Sequence, residues 1–162
     1  MQPPACPEAA RPCVGLVAPG LLLLSVLLSA CATLPSQPTG SSEPAFTAAS
    51  EIPRRVMLRT EMVGQNDPVG SVLGSELPRL GFTVDYEDPD GAFVAGTRRS
   101  DFGPSSLELV LVDERSGRVL WSAHIVRDWD TYASTTEAYA QNARKALELL
   151  ERDLARVGFP PP

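Results

Sequence analysis

The stretch SLELVLVDERSGRVLWSAHIV, residues 106–126, decides the fold class. Leu107, Leu109 and Leu111 alternate with Glu108, Val110 and Val112, and Val119, Trp121, Ala123 and Ile125 form a matching stripe. A period of two sends each stripe to one face of a sheet. Between the runs, Glu114-Arg115-Ser116-Gly117 supplies a turn, with Gly117 able to take positive φ in a bulged hairpin.

Working outward from this hairpin, residues 135–158 read as a long amphipathic helix. Tyr139, Ala143, Ala146, Leu147, Leu150, Leu154 and Val157 recur on one face. Glu148 and Arg152 are spaced to pair one turn apart, Arg156 complements the C-terminal dipole, and Gly158 with Pro160 ends the helix. Upstream, RVMLRTEMV alternates with Val56, Leu58 and Met62 on one face and Arg59 and Glu61 on the other, which makes a strand. Asp67-Pro68 is a helix start, a side-chain cap followed by proline at the first helical position. Val69, Val72, Leu73, Leu77 and Leu80 follow at helical spacing, Gly81 stops the segment, and Pro78 argues for an end one turn earlier. FTVDY and AFVAGTRR read as two more strands. The expectation is an α+β domain over residues 54–159, followed by a short tail at 160–162. Two helices pack on one face of a mixed four- to five-stranded sheet, in the order β-α-β-β-β-β-α.

The first 30 residues do not belong to that domain. Residues 14–30 hold no charge, Arg11 precedes them, and small Ser29 and Ala30 close the run before Cys31. A basic start, a short apolar block and small residues at the end describe a secretory signal peptide. A retained transmembrane helix fits less well, because Pro19-Gly20 interrupts a run already short of the ~20 residues a bilayer requires.

Leu28-Ser29-Ala30-Cys31 resembles the lipobox of bacterial lipoproteins, read by lipoprotein signal peptidase. The resemblance implies cleavage before Cys31, diacylglycerol on its sulfur, and a fatty acyl chain such as palmitate on its amine. Two or three chains anchor a protein stably where one does so marginally. Ala32 follows the cysteine where Asp does not, a pattern that in enteric bacteria implies the outer membrane with the domain facing the periplasm. The inner membrane and the cell surface stay open as alternatives. Cys6 and Cys13 precede the cut, so the mature chain keeps no free thiol, no internal disulfide and no cysteine-based metal site.

The chain carries a net charge of −6, and the mature part keeps it because Glu8 and Arg11 leave together. An acidic balance argues against nucleic acid as a partner and against electrostatic adhesion to anionic lipid. Residues 32–53, ATLPSQPTGSSEPAFTAASEIP, are dominated by Pro, Ser, Thr and Ala and are expected to be a disordered tether. With Cys31 this makes 31–53 the lipidated, flexible segment, with a reach of about 25 Å for roughly 20 residues of coil.

The sum of these features resembles a group of envelope lipoproteins that includes the penicillin-binding-protein activator lipoproteins and the curli secretion lipoprotein. It rests on the lipobox, the tether, the helix leading into LGFTV, the hairpin VDERSGRVLW and the closing helix EAYAQNARKALELLERDL. One pattern carries most of it, D-x-x-[ST]-G-x-[VL]-[LI]-W, here Asp113 to Trp121. The resemblance implies a small domain that binds a partner or assembles with itself, and it assigns no partner-binding residue.

Catalytic signals are weak. His124 is the single histidine, on the strand face opposite Trp121, and a general base needs an orienting partner that sequence does not show. Ser71 and Ser75 in VGSVLGSEL lack the G-x-S-x-G of a nucleophile elbow, and no Gly-Lys-Ser/Thr follows to make a phosphate loop. In DYEDPDGAF, residues 85–93, an EF-hand register puts Tyr86 at the first ligand position and Thr97 at the last. A solvated acidic turn is therefore the better reading than a calcium loop. Arg54-Arg55 and Arg98-Arg99 read as solvated strand edges. In RDWDTYAST, Arg127, Trp129 and Tyr132 have the composition of a binding hot spot, or else fold back to cap the core.

The sequence thus points to a lipid-anchored, non-catalytic accessory or adaptor of an envelope assembly, synthesis or secretion machine, with no cofactor and no metal. Its partners are membrane lipid through Cys31 and an envelope protein or further copies of itself. A self-assembling structural lipoprotein is the alternative, and a small periplasmic enzyme would need a nucleophile and base around His124. An unpaired edge at residues 92–99 would favour self-assembly, and exposed Trp129 and Tyr132 the accessory role.

Overall fold

The computed structural model describes residues 37–61, 67–99, 105–128 and 135–160. Six strands form one mixed sheet: β1 (Thr39–Pro44), β2 (Arg55–Thr60), β3 (Thr83–Val84), β4 (Gly91–Arg99), β5 (Ser105–Asp113) and β6 (Val119–Arg127). Their spatial order is β1-β6-β5-β4-β2-β3, antiparallel except where β2 runs parallel to β3 and β4. Two helices, α1 (Pro68–Glu76) and α2 (Thr135–Arg156), pack on one face. α1 lies against β2 and α2, and α2 spans β5, β6 and β1. The expected α+β class and helix placement hold.

The sheet has one strand more than expected, and it comes from the segment read as tether. TGSSEP is β1, an edge strand paired over its full length with β6, from Thr39 opposite Val126 to Pro44 opposite Trp121. Phe46 and Ile52 behind it are buried in the core. Gly40 is sterically required there. A Cβ at that position would sit 2.5 Å from both the His124 carbonyl and the Ile125 side chain.

The hairpin forms as expected, with one shift. Leu111 faces Trp121 but Val112 faces Val119, so Leu120 is the extra residue of a β-bulge. The bulge buries both Leu120 and Trp121 and turns Val119 out to 46% exposure, removing it from the core stripe. The turn is built from the Asp113 carboxylate, which accepts from the Ser116 backbone N–H at 2.7 Å and the Ser116 hydroxyl at 2.8 Å. Gly117 takes φ +68° with nothing within 4 Å of its missing Cβ.

α1 starts where Asp67 accepts from the Val69 and Gly70 N–H groups, at 3.0 and 2.9 Å. Pro78 ends the α-helix early, and residues Leu77–Leu80 continue as a 3-10 turn. Both helical segments stop at a glycine of positive φ, Gly81 and Gly158, followed by phenylalanine. In each, the phenylalanine N–H returns to a carbonyl inside the helix, Phe82 to Leu77 and Phe159 to Leu154. The two rings then stack at 5.3 Å, with Phe93 edge-on to Phe82 and the Arg54 guanidinium 4.8 Å over Phe159. One aromatic cluster therefore locks both helix ends to the same end of the sheet.

Candidate functional site

Leu28, Ser29, Ala30 and Cys31 lie outside the described residues, as do Trp129 and Tyr132. Arg127 is described, and it is not on the surface. It closes β6 at 2% exposure, and its guanidinium donates to the Gln141 side-chain carbonyl at 2.6 Å. Gln141 in turn donates to Glu137, so Arg127 ties the end of β6 to the first turns of α2. Arg127 is thus held in the interior by the β6–α2 contact.

The face of the sheet opposite the helices carries no described element. Met57, Val94, Val110, Val112 and Val126 stand half-buried on it, with Glu108 and His124 exposed. His124 is directly opposite Glu108 across the β5–β6 ladder. Among the described residues no side chain is hydrogen-bonded to its ring. Glu61, Arg98, Glu108 and His124 rim a depression of about 190 Å³, below the ~300 Å³ at which small-molecule sites begin. Ser75 donates locally to the Val72 carbonyl inside α1, so the VGSVLGSEL serines are helix residues.

The acidic run at 85–90 is an arginine clamp. Asp85 accepts the N–H groups of Glu87 and Asp88, while Asp88 and Asp90 hold Arg55 at 2.6 and 3.1 Å and Asp90 also takes Arg115 at 3.0 Å. The Arg55 hydrogen bond holds the Asp90 carboxyl below its ordinary range. Among the described residues no group of three or more His, Cys, Asp or Glu could hold a metal ion. The edge at 92–99 is paired, with β2 covering Ala92 to Ala95 and β5 the whole strand.

The most elaborate polar arrangement gathers around a buried carboxylate that the sequence reading passed over. Asp153 of α2 has no side-chain exposure. It accepts from Ser42 of β1 at 2.5 Å and from the Trp121 indole of β6 at 3.1 Å, with Arg152 and Arg156 closing over it at 3.2 Å. Burial alone would raise its pKa, but the Ser42, Trp121 and Arg152 hydrogen bonds outweigh that and hold it low. Arg152 is therefore engaged here, at Asp153 and at Ser42, and Glu148 pairs with Lys145 instead. Asp153 joins the first strand to the last helix. Asn142, fully buried, is the second such residue; its amide donates to Ser105 at 3.4 Å, and among the described residues its carbonyl oxygen has no partner.

The fold is similar to that of PelC. Two PelC dodecamers from Paraburkholderia phytofirmans, one a point variant, match with TM-scores of 0.53 and 0.51 at 12% identity. Each match covers 71% of this chain and 98% of the PelC chain. A minor lipoprotein from Acinetobacter baumannii matches with TM-score 0.32 at 13% identity, over 64% of this chain and 90% of that one, too distant to carry an argument. No protein-family model and no curated protein matches. At this identity the likeness to PelC is one of fold alone.

Proposed function

We propose that this chain is a bacterial envelope lipoprotein, held by lipid on Cys31. Its domain works as a homo-oligomeric, non-catalytic accessory subunit of an envelope assembly, synthesis or secretion machine. The observation that carries the reading is a lipobox, Leu28 to Cys31, joined to a domain with the fold of PelC, which was solved as a dodecamer. The resemblance to activator and curli secretion lipoproteins supports the same class. Ala32 after the cysteine favours the outer membrane, with the domain in the periplasm.

Palmitate labelling of the wild type and of Cys31→Ser, with crosslinking in intact cells and native mass spectrometry of the extracted protein, tests this reading. Palmitate on the wild type alone, with ladders of self-crosslinked species, is the expected result. Crosslinks confined to one foreign periplasmic domain would make it a monomeric adaptor. An unlabelled wild type would remove the lipoprotein reading.

A further inference from the structure

The strand found inside the supposed tether changes how far the domain can stand from its anchor. With β1 beginning at Thr39, only residues 32–38 separate it from Cys31. Whatever its conformation, the chain from Cys31 to Thr39 has eight steps and spans at most about 27 Å. β5, which runs the length of the sheet, is itself about 30 Å long for its nine residues. The leash is thus shorter than the domain it holds.

It also holds that domain by one end. Thr39 pairs with Val126, Val126 with Ser106, and Ser106 with Arg98, so a single row across four strands marks that end of the sheet. The Asp113–Arg118 turn and the Arg55–Asp90–Arg115 clamp stand at the other. With a net charge of −6, the domain has no electrostatic reason to lie flat on anionic headgroups.

We infer that the end marked by Thr39, Val126, Ser106 and Arg98 is the membrane-apposed surface of the domain, set against the lipid headgroups. The far end, with the hairpin turn and the arginine clamp, points away and is the end open to other proteins. This rests on Cys31 being the anchor.

The mature lipoprotein offers no other reactive thiol, because the Cys31 sulfur is in thioether linkage. Single variants Arg98→Cys and Arg115→Cys therefore take one fluorophore each. With the lipidated protein in vesicles bearing a headgroup acceptor, energy transfer gives the height of each label. The first label is expected within about 27 Å of the headgroups and the second about 30 Å further out. Inserting 14 Gly/Ser residues between Pro35 and Ser36 should raise the first by on the order of 10 Å. Equal heights, or heights that ignore the insertion, overturn the inference. Protein that never enters the vesicle fraction, like the Cys31→Ser control, marks instead the failure of the lipoprotein reading.

Discussion

Replacing Asp153 by alanine tests the link between the first strand and the last helix. Arg152 and Arg156 are 50% and 63% exposed, so water replaces the carboxylate for both and little is lost there. The Trp121 indole N–H is different, because the tryptophan is fully buried and its donor would be orphaned, at about 1–3 kcal/mol. The lost Ser42 bond to a charged acceptor adds about 1 kcal/mol. The total is about 3 kcal/mol, which for a domain of this size lowers Tm by roughly 12 °C. Asp153→Asn keeps one acceptor and should lose about half as much. The assay is urea unfolding of the mature chain carrying Cys31→Ser, followed by tryptophan fluorescence. Trp121→Phe should lose less in the Asp153→Ala background than alone, because the two share one bond. A loss under about 1 kcal/mol, or strict additivity of the two changes, would refute the proposed role of the carboxylate.

Acid should act on the same group. The folded pKa of Asp153 lies below its ordinary value, so its contribution is complete above about pH 4 and disappears as pH falls through the folded value. Unfolding curves between pH 5 and pH 2 should therefore be steeper for the wild type than for Asp153→Ala. Gly117→Ala should cost about 1 kcal/mol from the positive φ alone, since its Cβ meets nothing, while Gly117→Asn costs less because asparagine tolerates the left-handed region. Asp67→Ala removes the cap on α1 and its bond from Thr60, for about 1–2 kcal/mol in thermal unfolding. Gly40→Ala drives a Cβ into β6 and should selectively speed amide exchange along the β1–β6 ladder, with the β4–β5 ladder unchanged.

The hairpin and α2 were legible because burial writes a period into their sequences, two in one and 3.6 in the other. The pattern from Asp113 to Trp121 has a physical basis at four of its six defined positions. Asp113 and Ser116 bind each other in the turn, Gly117 supplies the positive φ, and Trp121 reaches Asp153. β1 was hidden because TGSSEP has poor β-propensity and a largely exposed burial pattern. It is held by backbone pairing and one serine, neither of which leaves an apolar stripe. Phe46 and Ile52, the large apolar residues just behind it, were the available signal that this segment reaches the core. Val119 was misassigned because a bulge breaks the period without marking the sequence. Asn142 and Asp153 carried a usable sign, since both occupy core-spaced positions of α2, one turn from Ala146 and Leu150. A polar residue there needs a partner, and for Asp153 the partner lay in a segment read as unstructured.

The antiparallel pairing of β1 with β6 also decides how the molecule bears mechanical load. The chain enters at Thr39 and runs along the strand axis, so tension between a lipid anchor and a partner at the far end acts in line with β1. A force in that direction shears the ladder, loading its bonds together with the Ser42–Asp153 link, where a perpendicular pull would open them one at a time. A strand of six small and polar residues thus becomes a grip whose strength is collective.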